Sequence, residues 1–210
     1  MSLNSVHYEI CGKTFSRLQL LMFAGVHGIH RTLQPSERII LEVTDIGEGA
    51  VLDIFSPKIA ALQVVIYPSQ RLVRNHLLIN FKQKSGAAFN WVQKQTQYTQ
   101  NKNYERLEAN ATREDDFRYT NIFTGKECIC PLIGYLVWMK FGYVMTVTER
   151  EFFESFLKQN KKNSQSILNL INADEKLWQE KGYSWNGFFN LKPGSESYTI
   201  LKEYRPGVRN

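Results

Sequence analysis

The sequence predicts an α/β (α+β) fold with a mixed, mostly antiparallel central sheet flanked by helices. Three observations predict it. Apolar, β-branched runs follow one another across short turns in the first third of the chain, as antiparallel strands do. Residues 76–101 pass from an apolar strand into a small-residue turn and then a helix-like stretch. Residues 133–145 read as a short helix stopped by Gly142 and followed by a strand, because a helix end favours a left-handed glycine. Antiparallel strands in a row, then strand–helix–strand, give a mixed sheet.

Taken in order, residues 1–15 read as a leading strand. Residues 16–33 read as a helix that Ser16 caps, with Leu18, Leu21, Met22, Gly25, Val26 and Ile29 at helical spacing. His27 and His30 sit three apart on it, a spacing that lets them face one another, but no nearby acidic or cysteine ligand completes a metal site. Pro35 ends that region. Residues 38–45 (RIILEVTD) and 50–55 (VLDIF preceded by Ala50) flank an Ile-Gly-Glu-Gly turn and predict a hairpin. Pro57 closes it, and residues 61–67 (ALQVVIY) form a further strand ending at Pro68. No internal repeat is present.

The run HLLINFKQKSGAA, residues 76–88, carries the most chemistry. Its strand runs straight into Gln83, Lys84, Ser85, Gly86, Ala87 and Ala88, and a helix follows. The first N–H groups of a helix lack internal partners and sit at the positive end of its dipole. Small residues let an anion approach them, and Lys84 adds charge. The segment therefore suits a pyrophosphate, although a small-residue turn also joins strand to helix with no ligand. It is not a Walker loop, since G-x-x-x-x-G-K-[ST] is absent. Residues 104–111 read as the next strand, and a polar loop is expected over 112–126.

Gln83-x-x-Gly86-x-Ala88 resembles the Q/R-x-x-G-x-G/A pyrophosphate loop of the GNAT acetyltransferase superfamily. In that family the fourth strand feeds this loop and the third helix. A fifth strand, a fourth helix ending in a Gly-aromatic pair and a sixth strand come next. Phe141-Gly142-Tyr143 looks like that ending, so the resemblance covers roughly residues 39–145. It implies acetyl-CoA as co-substrate and transfer of an acetyl group to an unidentified amine. Backbone amides of Gln83, Lys84, Ser85, Gly86, Ala87 and Ala88 would then hold the pyrophosphate. Strand residues 77–79, Leu78 and Ile79 among them, would pair with the pantetheine arm as an added strand does.

One departure bears on chemistry. Many family members place a Tyr four residues before that Gly to protonate the leaving thiolate. Here Trp138 stands there, and an indole has no proton of suitable acidity. Tyr135, one helical turn earlier, or a water would replace that acid, unless Tyr135 and Trp138 only pack. Glu108, Glu42 and His76 are candidate bases for the acceptor amine, Glu108 the one on the expected fifth strand. The alternative expectation is a catalytically inactive GNAT-like protein that binds acyl-CoA or a protein partner.

Residues 1–147 are expected as the GNAT-like domain. Residues 148–210 are expected as a helical, aromatic C-terminal extension packed on it. Thr148 and Glu151 fit a capping box, Ser164 caps a second helix, a third runs near 173–181, and residues 182–189 read as an aromatic loop. With 210 residues, 43% hydrophobic and 22% charged, the chain is long enough for one sizeable core. No stretch approaches about 18 apolar residues, so no membrane span is expected. The first residues lack a charged region followed by an apolar one, so no secretory signal is expected. Three cysteines make no disulfide framework. Cys128 and Cys130 lack the second pair that zinc needs, and a cytoplasmic setting follows. A net charge of +6 permits anionic ligands, but the basic residues are dispersed apart from Lys158, Lys161 and Lys162, and no nucleic-acid module is visible.

Overall fold

A computed structural model describes residues 6–27, 34, 37–57, 59–80 and 87–204. The chain opens not with one strand but with a hairpin, β1 (His7–Ile10) and β2 (Lys13–Ser16). Its two-residue turn, Cys11 and Gly12, has both φ values positive (50° and 70°), the geometry that matches strand twist. Ser16 then caps α1 (Arg17–Phe23) in a reciprocal box with Gln19. This helix is shorter than the expected 16–33. Gly25 turns left-handed (φ 73°), and a Cβ there would stand 2.7 Å from the Trp91 ring. Apolar spacing continued past the residue that stops the helix. His30 and Pro35 lie outside the described residues.

Strands β3 (Ile40–Asp45), β4 (Ala50–Ser56), β5 (Ile59–Tyr67) and β6 (Leu72–Asn80) pair antiparallel, each with the next. Helix α2 (Ala87–Asn101) carries the chain over to β7 (Arg106–Ala111), which lies parallel to β6. The expected polar loop is instead β8 (Arg113–Asn121), paired with β9 (Lys126–Ile133) as a two-stranded sheet of its own. Its charged sequence hides the alternation of Phe117 and Tyr119, which share a face with Cys130 and Cys128 across the pair. After it come α3 (Gly134–Val137), a 3-10 turn (Met139–Phe141) and a left-handed Gly142 (φ 90°), then β10 (Val144–Met145).

Thr146, not Thr148, caps α4 (Val147–Gln159), its hydroxyl accepting from Glu149 N at 3.3 Å. Ser166, not Ser164, caps α5 (Ile167–Lys181). The second and third expected helices are the halves of α5, joined at Asp174. The aromatic segment read as a loop is β11 (Trp185–Asn190), followed by α6 (Glu196–Glu203). β11 inserts between β7 and β10, so the tail supplies a strand of the main sheet as well as helices.

The seven strands run in the order β10-β11-β7-β6-β5-β4-β3, with β6/β7 the one parallel pair among the described residues. The architecture is α+β, with a mixed, mostly antiparallel central sheet flanked by helices. Alternate residues Leu52, Ile54, Leu62, Val64, Ile66, Val73 and Leu107 point to one face and are almost fully buried with α1 and α2. The other face holds a small apolar cluster of Val65, Tyr67 and Leu72. No helix among the described residues is long and apolar enough to cross a membrane.

Candidate functional site

The candidate site lies where β6 and β7 part. Their parallel pairing runs from Leu72↔Arg106 to Asn75↔Ala109 and stops there. Beyond it, among the described residues, β6 pairs with β5 alone and Asn110 and Ala111 pair with β11 alone. Val64 opposes Asn75 while Gln63 opposes Leu77, so His76 is the extra residue of a bulge at the point of divergence. A bulge bends its strand and re-aims the side chains on it. Residues 76–80 thus form a strand segment with one paired edge and one open edge. They end on the side of the sheet from which the chain enters α2. The carboxyl end of a parallel pair beside a helix N-terminus is the usual ligand crevice of such sheets.

A buried polar network fixes the crotch of this fork. Asn75 is 1% exposed and Gln95, on α2, is 0% exposed, so neither can turn to water for a partner. Their amides pair reciprocally at 2.9 and 2.8 Å. Asn75 Nδ2 also donates to the Tyr143 hydroxyl at 2.8 Å, and Gln95 Nε2 to the Phe23 carbonyl at 3.0 Å. Four segments are locked together: β6, α2, the end of α1 and the residue after Gly142. Burial pushes the Tyr143 hydroxyl well above its ordinary acidity range, against the opposing hydrogen bond from Asn75. Trp138 packs edge-on against Tyr143 and Trp91, with centroids 4.8 and 5.7 Å away.

On the opposite face, Glu108 is held by two guanidinium groups. Arg74 donates twice to its Oε2, at 2.9 and 2.7 Å, and Arg106 lies 2.9 Å from Oε1. Arg74 also lies over the Tyr67 ring at 5.4 Å. His76 stands beside this group, its Nδ1 3.4 Å from Asn110 Nδ2. Burial, and then the nearby Arg74 charge, hold the His76 imidazole below its usual pKa, which favours the neutral ring.

The residues singled out from sequence fall as follows. Leu78 and Ile79 lie on the open-edged segment, Leu78 partly buried against the core and Ile79 buried. Ala87 and Ala88 open α2. Gln83, Lys84, Ser85 and Gly86 lie outside the described residues. Glu108 reaches the fork, engaged by both arginines. Tyr135 is buried at the end of β7, where its N–H donates to the Thr112 carbonyl. Its hydroxyl donates to the Gln179 carbonyl of α5 at 3.3 Å, and its ring meets the Arg113 guanidinium at 5.2 Å. Glu42 is exposed on β3, the sheet's far edge. Asn75, Gln95 and Arg74 were missed. The available signal was a polar residue inside the apolar run of β6, and Gln95 one turn from Trp91 and Tyr98 on a buried helix face.

Among the described residues no group of three or more His, Cys, Asp or Glu side chains could hold a metal ion. In comparisons with known proteins, no family model, no curated protein and no solved structure matches the chain.

Proposed function

We propose that this chain is a divergent GNAT-like N-acyltransferase that takes acetyl-CoA at the β6/β7 fork and transfers the acetyl group to an amine. The observation that carries the reading is the parting of β6 and β7 after Asn75 and Ala109, at a bulge, on the side where the chain enters α2. The order of elements supports it further. Strand β6, helix α2, strand β7, a short helix closed by left-handed Gly142 and strand β10 follow the order of the resembled fold, with the β8–β9 hairpin inserted.

When bound, acetyl-CoA supplies a thioester open to attack by an amine. The chain's own residues would do the rest. The open edge of residues 76–80 offers N–H and C=O groups to an extended arm, as a sheet edge offers them to a strand. The start of α2, with Ala87 and Ala88, suits the pyrophosphate. An amine nucleophile must lose a proton, and His76 is the group best suited to take it. It sits at the divergence and is kept neutral by burial and by Arg74. Glu108 then serves as the counter-charge that fixes Arg74 beside that imidazole.

A second reading, a GNAT-like binder of acyl-CoA that performs no transfer, is favoured by one observation. The Tyr135 hydroxyl is spent on the Gln179 carbonyl and Trp138 occupies the other position, so neither offers a proton to a departing thiolate.

Calorimetric titration with acetyl-CoA separates these readings from no function at all. Saturable one-to-one binding is expected, with loss of binding on Gly86→Glu. Absence of binding at about millimolar ligand, a free energy near −4 kcal/mol, would falsify both readings. Given binding, an amine screen following coenzyme A release decides between them. Transfer that falls at least about 100-fold in His76→Ala, with binding retained, supports the enzyme. Binding without release for every amine class supports the second reading.

A further inference from the structure

The β8–β9 hairpin leaves apolar side chains uncovered. Ile122 and Phe123 at its tip, Ile129 on β9 and Ile133 at its foot are four of the eight large hydrophobics exposed among the described residues. Ordinary surface scatter would not gather half of them on one ribbon. A lone two-stranded ribbon is also marginal in water, so something should cover it. A second exposed apolar patch lies on α4, where Phe152 is 60% exposed. Phe152 borders an open cleft of about 530 Å3, with Phe156, Tyr183 and Ser184 among its other walls.

The two patches are joined at one point. Arg113, the first residue of β8, donates its backbone N–H to Ser184 Oγ at 2.9 Å, and its guanidinium donates to the Gly182 and Glu180 carbonyls. The foot of the hairpin therefore stands on the rim of the cleft. An extended strand rises about 3.4 Å per residue, which carries the tip roughly 25 Å from that rim. A chain's own Phe123 is too far away to fill its own cleft. The tip of a second copy, running the other way, is not.

The charges favour that partner. The proximal part of β8 carries Glu114, Asp115 and Asp116, all exposed. The distal part of the ribbon carries exposed Arg118, Lys126 and Glu127, which leaves it net positive. Two such ribbons laid side by side in opposite directions set each net-positive end against the acidic run of the other, whereas two laid in the same direction set the two acidic runs against each other. The ribbon's roughly 20 residues are close to the 20–30 that a standard interface draws from each side.

We propose that two copies of this chain form a two-fold symmetric dimer through antiparallel β8–β9 hairpins. Each hairpin seats Phe123 in the cleft beside Phe152 of the partner subunit. The contact is isologous: the same tip and the same cleft are used twice.

Sedimentation equilibrium on the full chain tests this, over about 1–100 µM, the range expected of a standard-size but partly polar interface. A reversible dimer is expected. Phe123→Asp and Phe152→Asp should each weaken it at least about 30-fold, as loss of a central aromatic anchor does. Both side chains are exposed, and unchanged thermal melts of the variants confirm that the fold is intact. Mixing the two variants should restore a heterodimer tighter than either homodimer, because one tip–cleft pair is then intact. Asp115→Lys with Asp116→Lys should weaken dimerisation and reverse its salt dependence, since added salt then screens a repulsion, and adding Arg118→Glu with Lys126→Glu should restore it. A monomer throughout the range overturns the proposal. So does a dimer that neither aromatic substitution affects, or a mixture no tighter than its components.

Discussion

The two halves of β6 are held very differently. Leu72, Val73, Arg74 and Asn75 have a strand on each side, a buried amide network on one face and an ion-paired guanidinium on the other. Residues 76–80 keep one neighbour strand and open the other edge. The difference teaches that the candidate site is made by where pairing ends, not by an unusual set of side chains. An open strand edge beside a crevice needs a rigid point from which to diverge, and Asn75 and Gln95 supply it. Both edges cannot be closed if an extended ligand is to be received, and both cannot be open if the strand is to stay in register.

The most damaging way to break this contrast is at the clamp. Asn75→Leu leaves the Gln95 amide and the Tyr143 hydroxyl buried with partners missing, which should cost about 3 kcal/mol in chemical denaturation. A loss below about 1 kcal/mol would show that the network does not hold the fork. Next comes one deletion made on each half. Leu72→Ala, at a site 2% exposed, should cost about 2–3 kcal/mol, and Leu77→Ala, on the half-buried open segment, about 1 kcal/mol. Equal losses would mean that the two halves are equally packed. Glu108→Gln should cost only about 1 kcal/mol, since the pair is partly solvated and Arg74 keeps its place over Tyr67.

The smallest effect is a pH dependence. The native state holds His76 below its ordinary pKa of 6.5, so as pH falls through 6.5 the unfolded chain takes up the proton first and stability drops. The loss continues until the native ring also protonates. Denaturation midpoints measured from pH 7.5 down to about 5.5 should therefore fall less in His76→Asn than in the parent. Parallel slopes would mean that His76 is not held neutral.

How much of this was legible in sequence follows from the range of the forces involved. The β3–β4 hairpin, β5, α2 and the helix stop at Gly142 rest on local periodicity and turn residues, and they were readable. That strand β6 comes before helix α2 was readable for the same reason. The ion pairing of Glu108 was not, because Arg74 meets it only through the parallel register. Nor was the clamp, because Asn75 looks like any polar interruption of a strand until Gln95 and Tyr143 are brought to it. β11 was missed because Trp-Asn-Gly-Phe-Phe-Asn reads as a turn. Its Gly187 is required by packing instead: a Cβ there would stand 2.3 Å from the Trp185 ring and 3.0 Å from the Val144 carbonyl.

The insertion of β11 between β7 and β10 also sets the timing of folding. During synthesis β7 is finished long before the strand that covers its outer edge exists, and β10 must wait without any strand neighbour. Pairings this distant in sequence are slow to close. Until they do, β7 offers an uncovered row of backbone groups to any other chain nearby. A chain stopped before residue 185 keeps the β6/β7 fork in its sequence but never acquires the strand that closes β7, and its fate would be aggregation rather than a smaller working protein.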